Sequence, residues 1–264
     1  MLTALLALPI LILFILYAGA VLFSVLVTLI LFLALLEFNR MGLGEQRRSD
    51  QWLSAFCGAG LIFSLHQQRF DLFLLLLTVA LLLISLKSLF SLPKPDLNQI
   101  IPQLGWLGLG LLYLPLLLGH LVLLRQLSDG TAWVFMTLLA VMTCDSFALF
   151  FGMKFGKRKL YPAVSPNKSI EGGLGGLVGA VVAVVLMKLT FLPQIGYLEA
   201  MVLGLLLGCA GQIGDLFESL LKRGCGVKDS GMLIPGHGGL LDRLDSLLFA
   251  FPLSYYAARY WFGS

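Results

Sequence analysis

The chain has 264 residues, 59% of them hydrophobic and only 12% charged, with 18 Lys and Arg against 14 Asp and Glu. A soluble domain carries about a quarter charged residues, so half that share, with a mean hydropathy of +0.95, excludes an ordinary soluble fold. A β-barrel would show short alternating strands, and runs such as DLFLLLLTVALLLISL do not alternate.

The first apolar stretch runs from Leu2 to Leu36. It has no basic segment ahead of it and is too long for the core of a removable signal. At 1.5 Å per residue it measures ~50 Å, against a bilayer core of ~30 Å. The expectation is two short helices meeting near Tyr17–Gly19. Further spans are expected at 51–65, 71–91, 104–124, 131–153, 173–192, 199–221 and 246–262, which makes about nine. The fold class is therefore all-α: a polytopic integral membrane protein with a polar site open to the cytoplasmic side.

That orientation comes from the loops. Arg40, Arg47, Arg48, Lys87, Lys94, Lys154, Lys157, Arg158, Lys159, Lys168, Lys222, Arg223, Lys228 and Arg243 fall on one side, and only Arg69, Arg125 and Arg259 on the other. Lys188 snorkels from within a span. Positive charge marks the cytoplasmic side, so the expected location is the inner (plasma) membrane, multi-pass, with the site facing the cytoplasm.

The two halves differ. Residues 1–126 read as lipid-facing scaffold helices with a possible role in oligomerisation, and 127–264 as the catalytic region. Gly172, Gly173, Gly175, Gly176 and Gly179 mark one C-terminal span, and Gly204, Gly208, Gly211 and Gly214 the next. Spacings of three and four let helix backbones approach closely, so packing is the expected use. The cysteines at 57, 144, 209 and 225 form no CxxC pair and receive no metal or disulfide role.

Asp145 lies inside one span, Asp215 and Glu218 inside another, and Asp242 and Asp245 at the entrance to the last. Intramembrane carboxylates are costly and face polar cavities with partners. Salt-bridge glue, Asp215 to Lys222 or Asp242 to Arg243, is the plain reading of any one pair. Acids from three elements at one depth point instead to a hard cation held by oxygen, most simply Mg²⁺. Lys168, Lys222, Arg223, Lys228 and Arg243 rim these acids, and the glycines of GHGG and GMLIPG allow backbone N–H groups to approach an anion. Carboxylates for a metal beside cations for phosphate are a recurring toolkit of phosphoryl and nucleotidyl transfer.

The segment SLLKRGCGVKDSGMLIPGHGGLLDRLD closely resembles the C-terminal signature of phosphatidate cytidylyltransferases, also called CDP-diacylglycerol synthases. The match runs through Ser219, Lys222, Arg223, Lys228, Asp229, Pro235, His237, Gly238, Gly239, Asp242, Arg243 and Asp245. The upstream CDSFALFFGMKFGKRKLYPAVSPNKSIEG is also similar to the family, so the resemblance covers about 140–246. It implies the reaction CTP + phosphatidate → CDP-diacylglycerol + pyrophosphate, dependent on Mg²⁺, with a second cation as an option. The implied partners are CTP, phosphatidic acid and membrane lipids, with no nucleic acid; a homodimer is one option for assembly.

On this resemblance Asp215 and Asp242 are the metal ligands, and Asp145 and Asp245 are further ligands or their supporting partners. Asp215, Asp242, Lys222, Arg223 and Asp245 form the catalytic set. Substrate binding falls to Lys168, Ser219, Lys222, Arg223, Lys228, Asp229, His237, Gly238, Gly239 and Arg243. His237 either donates to a phosphate or organises its loop. Glu171 and Glu218 are expected to partner nearby bases. Rival readings are a CDP-alcohol phosphotransferase, a polyprenyl-phosphate sugar transferase and a transporter. The first two lack their motifs or the signature here, and a transporter would place its polar site near the midplane.

Overall fold

The computed structural model describes residues 2–90, 97–231 and 238–263; Lys94, Pro235 and His237 lie outside them. The described chain is nearly all-α and divides into two compact units, Met1–Gln126 and Leu127–Ser264. Six helices among the described residues are long and apolar enough to cross a membrane, and the protein is read as membrane-integral on that ground.

The first unit holds α1 (Leu2–Tyr17), α2 (Ala20–Leu43), α3 (Arg48–His66), α4 (Phe70–Phe90) and α5 (Leu97–Arg125). The first apolar stretch does break into two helices, between Tyr17 and Ala20. Arg125 donates to the Ala18 carbonyl at 3.0 Å, giving a partner to backbone freed at the break. Helices α2, α3 and α5 form the core of this unit. Leu35 packs directly on Gly58, Leu65 on Gly119, and Phe38 stacks on Trp106 with centroids 4.5 Å apart. At the opposite ends of these helices from Ala18, Asp50 is buried and paired with Arg47 (3.1 Å) and Lys87 (2.8 Å).

The second unit holds α6 (Gly130–Phe155), β1 (Lys159–Tyr161), β2 (Ser165–Ser169), α7 (Ile170–Thr190), α8 (Tyr197–Gly224) and α9 (Asp245–Tyr256), which continues into a π turn at Ala257–Trp261. The glycine runs pack helices, as their spacing suggests. On α7, Gly172 faces the Ala148 carbonyl, Gly175 faces Phe151, Gly176 faces Cys144 and Gly179 faces Thr143 and Phe147, all on α6. On α8, Gly204 and Gly208 face α7, while Gly211 and Gly214 face α9. Lipid tails are as apolar as leucine, so this close van der Waals contact replaces the hydrophobic drive available in water.

The antiparallel hairpin β1–β2 is a departure from the all-α expectation. The segment KLYPAVSPNKS reads from sequence only as a basic connector. Three contacts make it ordered. Val164 at its turn is buried, the Glu171 carboxylate accepts from the backbone of Lys157 and Arg158 at 3.1–3.3 Å, and Ile170 N–H donates to the Arg158 carbonyl at 2.9 Å. Glu171 therefore meets the neighbouring bases Lys157 and Arg158 through their backbone amides. Ser169 ends the hairpin and caps α7, accepting from Gly172 N–H at 3.1 Å, a placement typical of N-cap serines.

A Cβ at position 179 would stand 2.7 Å from Phe147 and 2.8 Å from the Thr143 carbonyl, whereas one at 108 meets nothing within 4 Å. Overpacking of this kind costs typically ~1–3 kcal/mol. Gly179→Val is expected to lower the melting temperature in detergent by several degrees, and Gly108→Ala to leave it unchanged or slightly raised. Equal melting temperatures for the two variants would contradict the α6–α7 contact.

Candidate active site

One end of the second unit encloses a cavity of about 660 Å³. Its polar lining comes from Asp145 on α6, Asn167, Lys168 and Ser169 at the end of the hairpin, Gln212 and Asp215 on α8, Asp242 in a 3-10 turn just before α9, and Asp245 and Ser246 at the start of α9. Ala148, Leu149, Met153 and Leu160 form an apolar wall, of which Leu149 and Met153 are 64% and 73% exposed. All four carboxylates assigned to the metal thus reach one cavity, from three elements far apart in sequence.

Asp215 is ion-paired with Lys168 and accepts from Ser219 Oγ at 3.4 Å. Neither pair expected as salt-bridge glue forms: Asp215 takes Lys168 and not Lys222, and Asp242 takes Lys222 and not Arg243. Lys222 Nζ donates to Asp242 Oδ1 at 2.7 Å, and Ser230 N–H (3.1 Å) and Gly239 N–H (2.8 Å) donate to Oδ2. Gly238 stands at φ +80°, a left-handed conformation that places the Gly239 amide on the carboxylate. Gly226, at φ +71°, turns the chain at the end of α8. The anion that this glycine-rich loop approaches in the structure is the protein's own Asp242.

The described basic residues fall into four groups. Lys168 lines the cavity. Lys222 is buried behind its wall, between Asp242 and Glu218. Arg223 ties the hairpin to α8, with Nε 3.4 Å from the Val164 carbonyl and Nη1 donating to the Val227 carbonyl at 3.1 Å. Lys228, Asp229 and Arg243 are exposed and do not line the cavity, and His237 lies outside the described residues.

Sequence reasoning missed Gln212, Asn167, Ser169 and Ser246. Gln212 had a signal, since it lies three residues before Asp215 and hence on the same helix face. Its Nε2 donates to the Gly173 carbonyl at 2.9 Å, which fixes the amide at the cavity wall. Asn167 and Ser169 belong to the hairpin, whose ordering the sequence did not show.

Among the described residues no three His, Cys, Asp or Glu side chains close on a single point as a ready-made metal cage. The donor chemistry nevertheless fits a hard cation: the acids of the cavity are carboxylates, and no Cys or His among the described residues lines it. Mg²⁺ is commonly bound through one or two carboxylates with substrate phosphates supplying the rest. A spread of carboxylates with two already engaged by lysines suits an ion completed by its substrate.

The chain matches the model of the cytidylyltransferase family over residues 1–261. It is 41% identical over 155 residues to a phosphatidate cytidylyltransferase of Bacillus subtilis (strain 168), covering 58% of each chain. It is 40% identical over 136 residues to that of Staphylococcus saprophyticus (52% of each). Over 174 residues it is 37% identical to that of Thermotoga maritima (61% of each). The chain therefore spans little more than half the length of these relatives.

Burial raises the pKa of Asp242, but the hydrogen bond from Lys222, the Gly239 amide, the Lys222 charge and the Ser230 amide outweigh it, and the net shift is downward. A lowered folded-state pKa contributes stability that is present above the unfolded value and lost as pH falls through the folded one. Carboxylate ¹³C NMR of the labelled protein in nanodiscs should show Asp242 titrating below the ordinary aspartate range, with the Ser230 and Gly239 amide signals shifting in the same acid step. A midpoint at or above that range would contradict this hydrogen-bonding pattern. The match across residues 1–261 places the chain in the cytidylyltransferase family.

Proposed function

We propose that the protein is a phosphatidate cytidylyltransferase, which transfers CMP from CTP to phosphatidic acid, giving CDP-diacylglycerol and pyrophosphate. One observation carries this reading: a single cavity combines four carboxylates and a lysine with an exposed apolar wall. A soluble nucleotide and a lipid phosphate need those two surfaces side by side. The names of the relatives support the same reaction.

A phosphate oxygen of phosphatidate attacks the α-phosphorus of CTP, a P–O bond forms, and the α–β bond breaks to release pyrophosphate. The attacking oxygen is already anionic near neutral pH, so no strong general base is needed. Repulsion is the obstacle. Four carboxylates against one lining lysine make the cavity itself net negative, and a triphosphate enters it only with a cation. Mg²⁺ held by Asp215 and Asp242, with Asp145 and Asp245, would offset that charge and stabilise the developing pyrophosphate. Among the described residues Asp145 and Asp245 pair with no lysine or arginine; their neighbour is Ser246, whose N–H donates to Asp245 Oδ1 at 2.7 Å. Lys168, on the flank of the hairpin, would move from Asp215 to a substrate phosphate as the cation takes its place. Leu149, Met153 and Leu160 would lie along the acyl chains.

The basic loops support an orientation with this end of the unit at the cytoplasmic face of the inner membrane. At the other ends of α7, α8 and α9, Lys188 sits 4.3 Å over the Tyr197 ring, and Tyr256 stacks on Tyr260 beside Trp261. Aromatic residues of this kind mark the second interface. On that basis α9 with its π turn also crosses, and α1 and α3 complete about nine spans. A homodimer remains the proposed assembly for the N-terminal half.

The test is purified protein in nanodiscs with phosphatidate, Mg²⁺ and labelled CTP. The expected products are CDP-diacylglycerol and pyrophosphate, and folded protein that makes neither overturns the reading. Asp242→Asn is expected to lose at least ~100-fold in turnover across a wide Mg²⁺ range, as for loss of a charge-stabilising group. Lys157→Ala, at an exposed residue outside the cavity lining, should stay within about twofold.

A further inference from the structure

Gln212 on α8 is half-buried and lines the cavity. Its carboxamide is held by the nitrogen end: Nε2 donates to the Gly173 carbonyl at 2.9 Å and reaches Cys144 Sγ at 3.4 Å. A carbonyl can only accept, so the opposite setting of the amide would put oxygen against oxygen. Both amide protons are thereby turned into the contact between α6, α7 and α8. What remains is Oε1, which accepts no hydrogen bond among the described residues. Gly173 keeps that oxygen uncovered. A Cβ at Gly172, Gly175, Gly176 or Gly179 would strike α6, but beyond its own helix a Cβ at 173 would meet only Gln212, 3.0 Å from Oε1 and 3.9 Å from Cδ. The missing side chain at 173 therefore serves no helix packing. It leaves room over Oε1 on the cavity wall, which Gly173 also lines, and glycine is the residue that lets a ligand come close to backbone.

A group that fills this room has to donate. Phosphatidate, with an ionised phosphate and ester oxygens, offers acceptors. CTP offers ribose hydroxyls and the exocyclic amino group of the base. A hydroxyl both donates and accepts, and the carboxylates of the cavity can serve it as well as an amide can. The amino group donates only and carries no charge, so it suits a neutral acceptor that a hard cation does not claim first. Uracil carries an acceptor oxygen where cytosine carries that amino group. We infer that Gln212 is a specificity-determining residue: its Oε1, kept open by Gly173, accepts a hydrogen bond from the cytosine amino group and opposes the oxygen of uracil. This rests on the function proposed above. A site built around a hydrogen bond rejects the analogue that lacks the donor far more strongly than a merely tight pocket does.

The experiment compares kcat/KM for CTP, UTP and dCTP on protein in nanodiscs with Mg²⁺ and phosphatidate. Wild type is expected to favour CTP over UTP, and equal values overturn the inference. In Gln212→Leu the CTP:UTP ratio is expected to fall at least ~10-fold, as for one hydrogen bond lost in a desolvated site, with the CTP:dCTP ratio unchanged. Equal losses for CTP and UTP overturn the inference, as does a variant in which only the dCTP ratio moves. Gly173→Ala covers Oε1 but keeps the amide that ties α8 to α7, so it carries the test if Gln212→Leu does not fold. It is expected to lower the same ratio, and a folded Gly173→Ala with the wild-type ratio overturns the inference. Calorimetric titration with each nucleotide and Mg²⁺ reads binding apart from turnover. Protein that binds CTP over UTP through Gln212 but makes no CDP-diacylglycerol would sink the proposed reaction and leave the role of Gln212 standing. Protein that makes CDP-diacylglycerol with the same base preference in both variants would do the reverse.

Discussion

The hydrogen bonds on Asp242 tie the second unit together at its polar end. One carboxylate joins Lys222 on α8, the Ser230 amide in the loop after α8, and the Gly239 amide just before α9. A charged acceptor makes each of these bonds worth about 1.5–3 kcal/mol, against about 1 for a neutral one. Without them α8 and α9 would still pack through Gly211 and Gly214, but the loop between them would lose its anchors to α8 at Asp242. Asp245 and Ser246, which line the cavity three and four residues further on, inherit their placement from that loop.

Close approach of the helices supplies the other half of the site. The α7 face without side chains lets α6 sit against its backbone, with the Cys144 carbonyl and the Ala148 carbonyl both within reach of a missing Cβ. That contact brings Asp145, beside Cys144, to the level of Asp215. Larger residues on α7 would push α6 outwards and take its carboxylate with it. Glycine therefore has two separate duties in this unit, one in packing the span and the other, at Gly226 and Gly238, in turning the loop.

Much of this was legible from the residues. Apolar runs of the right length placed the helices, and the excess length of the first run, with Gly19 inside it, placed a break. Carboxylates inside such runs marked the site, because an ionisable residue at that depth needs a reason. What the sequence did not show was who pairs with whom. Lys168 reaches Asp215 across 47 residues and Lys222 reaches Asp242 across 20, and helix spacing relates only neighbours three or four apart. Basic residues in one loop look alike on paper, yet burial separates Lys222, behind the wall, from Lys168, on it, and from Lys228, outside it. The hairpin escaped for a related reason: its strands are short, and its order comes from Val164, Glu171 and Arg223, which act from beyond the strands themselves.

On the proposed function, the arrangement would also account for so many acids around a reaction between anions. A cavity lined chiefly with lysine and arginine would hold phosphates without needing a metal, and it would hold the products as firmly as the substrates. A cavity with a carboxylate surplus repels free phosphates and accepts them only as cation complexes. On the proposed function, pyrophosphate leaving with a cation would restore the repulsive state. Low dielectric strengthens both phases, because charges away from bulk water interact more strongly. The same desolvation that makes carboxylates costly inside an apolar unit thus makes them effective gates for charge. Lys168 and Lys222 keep that surplus from destabilising the unit, each by neutralising one aspartate.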